Sequence, residues 1–132
     1  MSSVKRFEDL EIWQLVQVLC SDIFNLIENS PLKNNFKLAN QIDGSSGSIM
    51  DNIAEGFERN GNKEFGQFLS IAKASCGETR SQLYRILDRK FIDEENFEKL
   101  RSKTEILSIK ISNLMTYLAK SDLKGSKYNK NT

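Results

Sequence analysis

Only a few residues in this 132-residue chain are of a type that does chemistry, and their spacing limits what each can do. Asp51 and Glu55 stand four apart, which puts two carboxylates on one side of a helix, where acid–base work would need them. Two acids at that spacing are more usually surface or interface residues, so this is the weakest reading of the pair. Cys20 and Cys76 share no metal-type spacing and read as small apolar residues in a reducing compartment. Histidine is absent. No Ser-His-Asp or Cys-His nucleophile can therefore be built, nor the Glu-x-x-His motif by which ferritin-like bundles hold two metals. No G-x-x-x-x-G-K-[ST] loop occurs, and Gly44 and Gly47 lack the spacing and the preceding strand of a dinucleotide fingerprint. The expectation is a non-enzymatic chain with no catalytic residue, no metal and no cofactor.

Polar residues nonetheless recur in order. Gln41, Ser45, Ser48, Asn52, Glu55 and Arg59 follow one another at spacings of four and three, and Phe68, Ile71, Ser75, Glu78, Gln82, Arg85 and Arg89 do the same further on. Polar groups set beside a core need partners, because a buried one left unsatisfied costs ~1–3 kcal/mol. Asn52 and Glu55 are therefore expected to bond at a helix–helix contact or across a subunit boundary, with Gly56 admitting a neighbouring side chain.

The elements that must position these stripes are helices, since apolar residues recur at three and four over four long segments. The first covers about 8–28, with Ile12, Val16, Leu19, Ile23 and Leu26 on one face and Trp13, Phe24 and Ile27 widening it. Ser30-Pro31 closes it, because proline pushes its predecessor out of helical geometry. The second covers about 33–58, with Phe36, Ala39, Ile42, Ser46, Ile49, Ile53 and Phe57 inward, and stops at Asn60-Gly61. The third, about 62–89, turns Phe65, Leu69, Ala72, Cys76, Thr79, Leu83 and Ile86 inward. Asp93 is a good N-cap, and a fourth helix follows over about 93–120 with Phe97, Leu100, Thr104, Leu107, Ile111, Leu114 and Leu118 on its face. Residues 121–132 are polar, basic and nonperiodic, and read as a disordered tail after a single domain covering 1–120. Helices of matching length with short connections favour an all-α, antiparallel up-down-up-down four-helix bundle.

Two glycines inside the second helix, in "DGSSGS" at 43–48, each cost about 1 kcal/mol relative to alanine. A turn centred near 60–61 would set Ser45 opposite Cys76 and Gly47 opposite Ala74. The expectation is a layer of small residues where two backbones approach closely, with Gly47→Leu overpacking it. The alternative is a break that divides the second helix in two.

Formal net charge is +1, but residues 1–66 hold 6 basic against 10 acidic residues and residues 67–132 hold 13 against 8. Arg80, Arg85, Arg89 and Lys90 run to the end of the third helix, and Lys120, Lys124 and Lys127 lie near the C-terminus. These are the candidate nucleic-acid contacts. No apolar run approaches the ~18 residues needed to span a bilayer, and the N-terminus lacks a secretory pattern, so a cytoplasmic location with no membrane partner is expected.

Trp13-Gln14, Gln41-Ile42, Ser48-Ile49, "NIAEGFER" at 52–59, "EFGQFLSIAKAS" at 64–75 and Glu78 resemble the signature of the bacterial four-helix-bundle proteins first noticed in intervening sequences of 23S rRNA genes. The resemblance covers residues 7–120. It implies a left-handed bundle assembling into a ring-like homopentamer. Residues Trp13, Gln41, Ser48, Asn52, Glu55, Gly56, Arg59, Phe65, Phe68, Ser75 and Glu78 are then structural or interface positions. The family includes the accessory variability determinant of diversity-generating retroelements, which partners a reverse transcriptase and binds RNA or DNA. Members commonly carry two arginines after Gln-Ile, followed by an alanine pair. Here the segment is Asp43-Gly44-Ser45-Ser46, which removes two cations and weakens a nucleic-acid role.

Overall fold

The computed structural model describes residues 4–130, with side chains described as far as Leu123. Four α-helices carry the fold: α1 (Glu11–Glu28), α2 (Phe36–Glu58), α3 (Asn62–Asp88) and α4 (Glu94–Lys130). Short 3-10 turns at Phe7–Asp9 and Pro31–Asn34 precede α1 and α2, and no strand occurs among the described residues.

The helix ends follow from local chemistry. Asn35 Oδ1 accepts the Leu38 amide at 3.2 Å, and Asp93 Oδ1 accepts the Asn96 amide at 2.7 Å, so α2 and α4 both begin on side-chain caps. Gly61, at φ +99°, makes the turn between α2 and α3. Helix α3 ends on Lys90 at φ +61°, with the Phe91 amide reaching back to the Ile86 carbonyl at 3.1 Å, the pattern of a left-handed C-terminal cap.

Val16, Ile23, Ile42, Ile49, Leu69, Leu83 and Ile111 are completely buried, and each such side chain contributes ~1.5–3 kcal/mol relative to exposure. Numbering rises on one helix as it falls on its partner in three contacts. Gln41 pairs with Arg85 and Ser48 with Ser75 between α2 and α3, Glu11 pairs with Lys110 and Asp22 with Lys103 between α1 and α4, and Cys76 meets Thr104 and Tyr84 meets Phe97 between α3 and α4. Each of these pairs runs in opposite directions.

The structure departs from the periodicity in four places. Phe36 is 75% exposed, because the Pro31–Asn34 turn sends Leu32 into the end of the core in its place. Phe24 is also exposed, lying off the apolar stripe of α1. Helix α2 is continuous through Gly44 and Gly47, and a Cβ at either would meet nothing within 4 Å, so the close-packed small-residue layer does not exist. Their unfavourable propensity is outweighed by burial of the isoleucines on the opposite face. Finally, α4 continues to Lys130 instead of ending near Lys120. Residues 121–130 contain no proline, and extending a formed helix is far cheaper than starting one. Asn131 and Thr132 lie outside the described residues.

Candidate functional site: the seam between the second and third helices

The two polar stripes meet each other. Ser45 Oγ donates to Gln82 Oε1 at 2.6 Å and lies 2.9 Å from Thr79 Oγ1, and all three residues are buried. Thr79 Oγ1 also reaches the Ser75 carbonyl at 2.9 Å, while Ser75 Oγ lies 3.0 Å from Ser48 Oγ. Asn52 Nδ2 donates to the Ser48 carbonyl and hydroxyl at 2.8 and 3.0 Å. At one end Arg85 donates to Gln41 Oε1 at 3.1 Å, and Gln82 Nε2 donates to Glu78 Oε1 at 3.3 Å. At the other, Arg59 pairs with Glu55 at 3.1 Å and lies over the Phe68 ring, 5.0 Å from its centroid. Among the described residues no buried side-chain nitrogen or oxygen lacks a partner.

The expected register was displaced. Ser45, placed opposite Cys76 by a turn centred at 60–61, meets Thr79 and Gln82 one to two turns further along α3, and Gly47 does not face Ala74 across a contact. Close approach occurs instead at Gly56. A Cβ there would stand 2.6 Å from Phe68 Cβ and 3.1 Å from Phe65 Cδ1. Phe65 in turn meets Phe57 edge-on at 5.9 Å. Neither Asn52 nor Glu55 bonds across the α2–α3 contact as expected: Asn52 donates within α2 to Ser48, whose hydroxyl is the group that meets Ser75 on α3, and Glu55 is exposed and pairs with Arg59 on its own helix. Trp13 is remote from the seam and packs against Phe7, ring centroids 5.2 Å apart. Thr79 was placed in the core by periodicity, and the sequence signal for its second role is the hydroxyl itself, which a core position must satisfy.

The basic candidates do not converge. Arg85, Arg89 and Lys90 are exposed at the C-terminal end of α3, and Arg80 is half-buried on α3. Lys120 is exposed near the far end of α4, which at ~1.5 Å per residue is ~40 Å from its start beside Lys90. The side chains of Lys124 and Lys127 lie outside the described residues. A cleft of about 450 Å³ between the end of α1 and the start of α4, lined in part by Asn25, Leu26, Phe91 and Asn96, contains none of the candidate interface or nucleic-acid residues. No cluster of three acidic or cysteine side chains suited to a metal occurs among the described residues.

Burial pushes the Cys76 thiol from 9.0 up to about 11, and its S–H donates to the Thr104 carbonyl at 3.1 Å. The folded chain thus holds a proton that the unfolded chain releases first. Stability is expected to be unaffected below about pH 9 and to fall from there to about pH 11, a loss absent in Cys76→Ala when both are titrated with denaturant. At pH 8 a thiol reagent is expected to reach Cys76 only after unfolding.

The seam has the chemistry of a fastening: its hydroxyls and amides are committed to one another, and the carboxylates at its edges to an arginine and an amide. No helix among the described residues is long and apolar enough to cross a membrane. No curated protein shows significant similarity to the chain. The crystal structure of a protein with unknown function from the S23 ribosomal protein family, from Bacteroides thetaiotaomicron VPI-5482, superposes with a TM-score of 0.71 at 22% identity, covering 79% of this chain and 97% of that one. The likeness shows a shared fold. The profile of the 23S rRNA-intervening sequence protein family matches residues 8–113, and the chain belongs to that family.

Proposed function

We propose that this chain is a non-enzymatic, cytoplasmic scaffold that works as a homo-oligomer, with five copies favoured by the family resemblance. The observation that supports this is what the bundle leaves uncovered. Leu15, Val18, Ile71, Ile106 and Ile109 are between 36% and 58% exposed although the core is already filled. Aliphatic surface of that extent, grouped on particular faces, marks contact surfaces. Ile71, 49% exposed, stands beside the seam between Phe68 and Ser75 on α3, where a second copy could cover it. Light scattering at micromolar concentration is expected to give a multiple of the 15.1 kDa chain mass. A monomeric mass would refute the proposal.

A second reading, a nucleic-acid-binding accessory to a reverse transcriptase in a diversity-generating retroelement, is favoured by one corner of the molecule. The Arg85–Gln41 bond sets Lys37 and Arg89, each one turn further on, at the same end of the α2–α3 pair, next to Lys90 and the bare ring of Phe36. Cations beside an exposed aromatic suit a single strand. If this reading holds, labelled single-stranded RNA or DNA binds with an affinity that falls as salt rises, and Arg85→Ala with Arg89→Ala reduces both affinity and salt slope. No binding at 50 mM salt would remove it. An adjacent reverse transcriptase gene with template and variable repeats would favour it independently.

A further inference from the structure

The outward sides of α2 and α3 complement one another across copies, and we infer that α2 of one copy packs against α3 of the next, head to tail. Helix α2 presents Asn40, Gly44, Gly47, Asp51 and Ala54 at spacings of four and three on the side away from the core, with Asp43 beside them. Helix α3 presents Ser70, Ala74, Gly77 and Ser81 in the same way, flanked by Lys73 and Arg80. A Cβ at Gly44, Gly47 or Gly77 would meet nothing within 4 Å, so nothing inside the chain calls for glycine there. Among the described residues, none of Asp43, Asp51, Lys73 and Arg80 is in an ion pair.

Ring symmetry fixes the register between copies. A rotation about an axis parallel to the helices keeps every residue at its own height, so α2 of one copy meets α3 of the next in the register that the seam holds within a chain. There Ser48 meets Ser75, Ser45 meets Thr79 and Gly56 meets Phe68. Followed residue for residue, that register sets Gly47 at the height of Gly77, with Asp51 at that of Lys73 on one side and Asp43 at that of Arg80 on the other. Opposite charges thus bracket a glycine centre, where two helices can approach to the close end of the usual interaxial range, about 8 Å. The acids belong to α2 and the bases to α3, so α2 against α2 would set like charges together, which opposes association.

Adjacent corners of a four-helix bundle face outward about a right angle apart. A head-to-tail contact between such sides turns with every added copy and closes a small ring instead of running on as a filament. Closure adds a contact without adding a copy, which holds a ring together through contacts that are narrow singly. Leu15, Val18, Ile106 and Ile109 belong to α1 and α4 and are left to other contacts.

The inference rests on the self-assembly reading above and is tested so that the two can fail separately. Circular dichroism monitors folding and light scattering the mass. Asp43→Lys with Asp51→Lys makes both sides basic and is expected to reduce the mass to the 15.1 kDa of one chain. Gly47→Leu leaves every charge in place and fills only space that is open within the chain, so it is expected to fold and to be monomeric too; a methyl there, the size already present at Ala54 and Ala74, is tolerated. Adding Lys73→Glu and Arg80→Glu to the two lysine substitutions exchanges the signs of the two sides and is expected to restore the wild-type mass. Assembled wild-type protein with an unchanged mass in either of the first two variants, or a folded sign-exchanged variant that stays monomeric, would overturn this contact and leave self-assembly standing through another face. A monomeric wild-type protein would overturn both.

Discussion

Gly56→Ala is expected to lower stability by ~1–3 kcal/mol, although alanine is the better helix former by about 1 kcal/mol. The new methyl would stand 2.6 Å from Phe68 Cβ, 3.1 Å from Phe65 Cδ1 and 3.4 Å from the Phe65 carbonyl. The first of these decides the sign. Phe68 Cβ is bonded to the α3 backbone and cannot swing aside as a side-chain tip could, so α2 and α3 must separate. Separation also stretches the Ser48–Ser75 contact two turns away and disturbs the Phe57–Phe65 edge contact at 5.9 Å. Gly47→Ala is the control. Nothing lies within 4 Å of its added methyl, so propensity acts alone and the substitution is expected to stabilise by up to about 1 kcal/mol. Thermal melts of the two proteins beside wild type check this, and a Gly56→Ala protein melting at or above wild type would show that the helices are not in van der Waals contact there.

The contrast between these two glycines shows where sequence reading stops. The bundle was legible because helix formation and burial share one period. The stripe through Ile12, Val16, Leu19 and Ile23 is apolar for the same reason that it is buried, and Asp93 and Gly61 mark boundaries by chemistry that acts within a few residues. Gly56 was legible too, as a glycine within the family motif that admits a neighbour. Register was not. A helical period tells which side of α2 is apolar but not which residue of α3 stands opposite, because that depends on the length and path of the turn at Arg59–Gly61 and on the angle between the axes. A slip of about one turn was enough to misplace Ser45 against Cys76 and to predict a close contact at Gly47. Exposure of Phe36 and Phe24 was hidden for a related reason: an aromatic ring at a helix end or on the flank of a stripe fits the count, while the core filled by Leu32 and its neighbours has no room for it. The α1/α4 pairing of acids with bases likewise has no local signature, since its partners are 99 and 81 residues apart.

The Ser45–Thr79–Gln82 cluster should carry the second large effect, visible as coupling between substitutions. Ser45→Ala removes the hydroxyl that donates to Gln82 Oε1 at 2.6 Å and leaves that oxygen without its donor in a site where Gln82 is 5% exposed, at an expected cost of ~1–3 kcal/mol. Gln82→Met keeps the volume and removes the acceptor. It is expected to cost less, because the Ser45 hydroxyl still has Thr79 Oγ1 at 2.9 Å and the Ile42 carbonyl at 3.3 Å. Replacing both partners leaves no orphan, since Thr79 still reaches the Ser75 carbonyl at 2.9 Å. The double variant is therefore expected to lose less than the two singles together by about 1 kcal/mol, with the deficit read from urea unfolding of the four proteins. Additive losses within ~0.5 kcal/mol would mean that Ser45 and Gln82 do not depend on each other, and the seam would then be a row of separate contacts instead of one fastening.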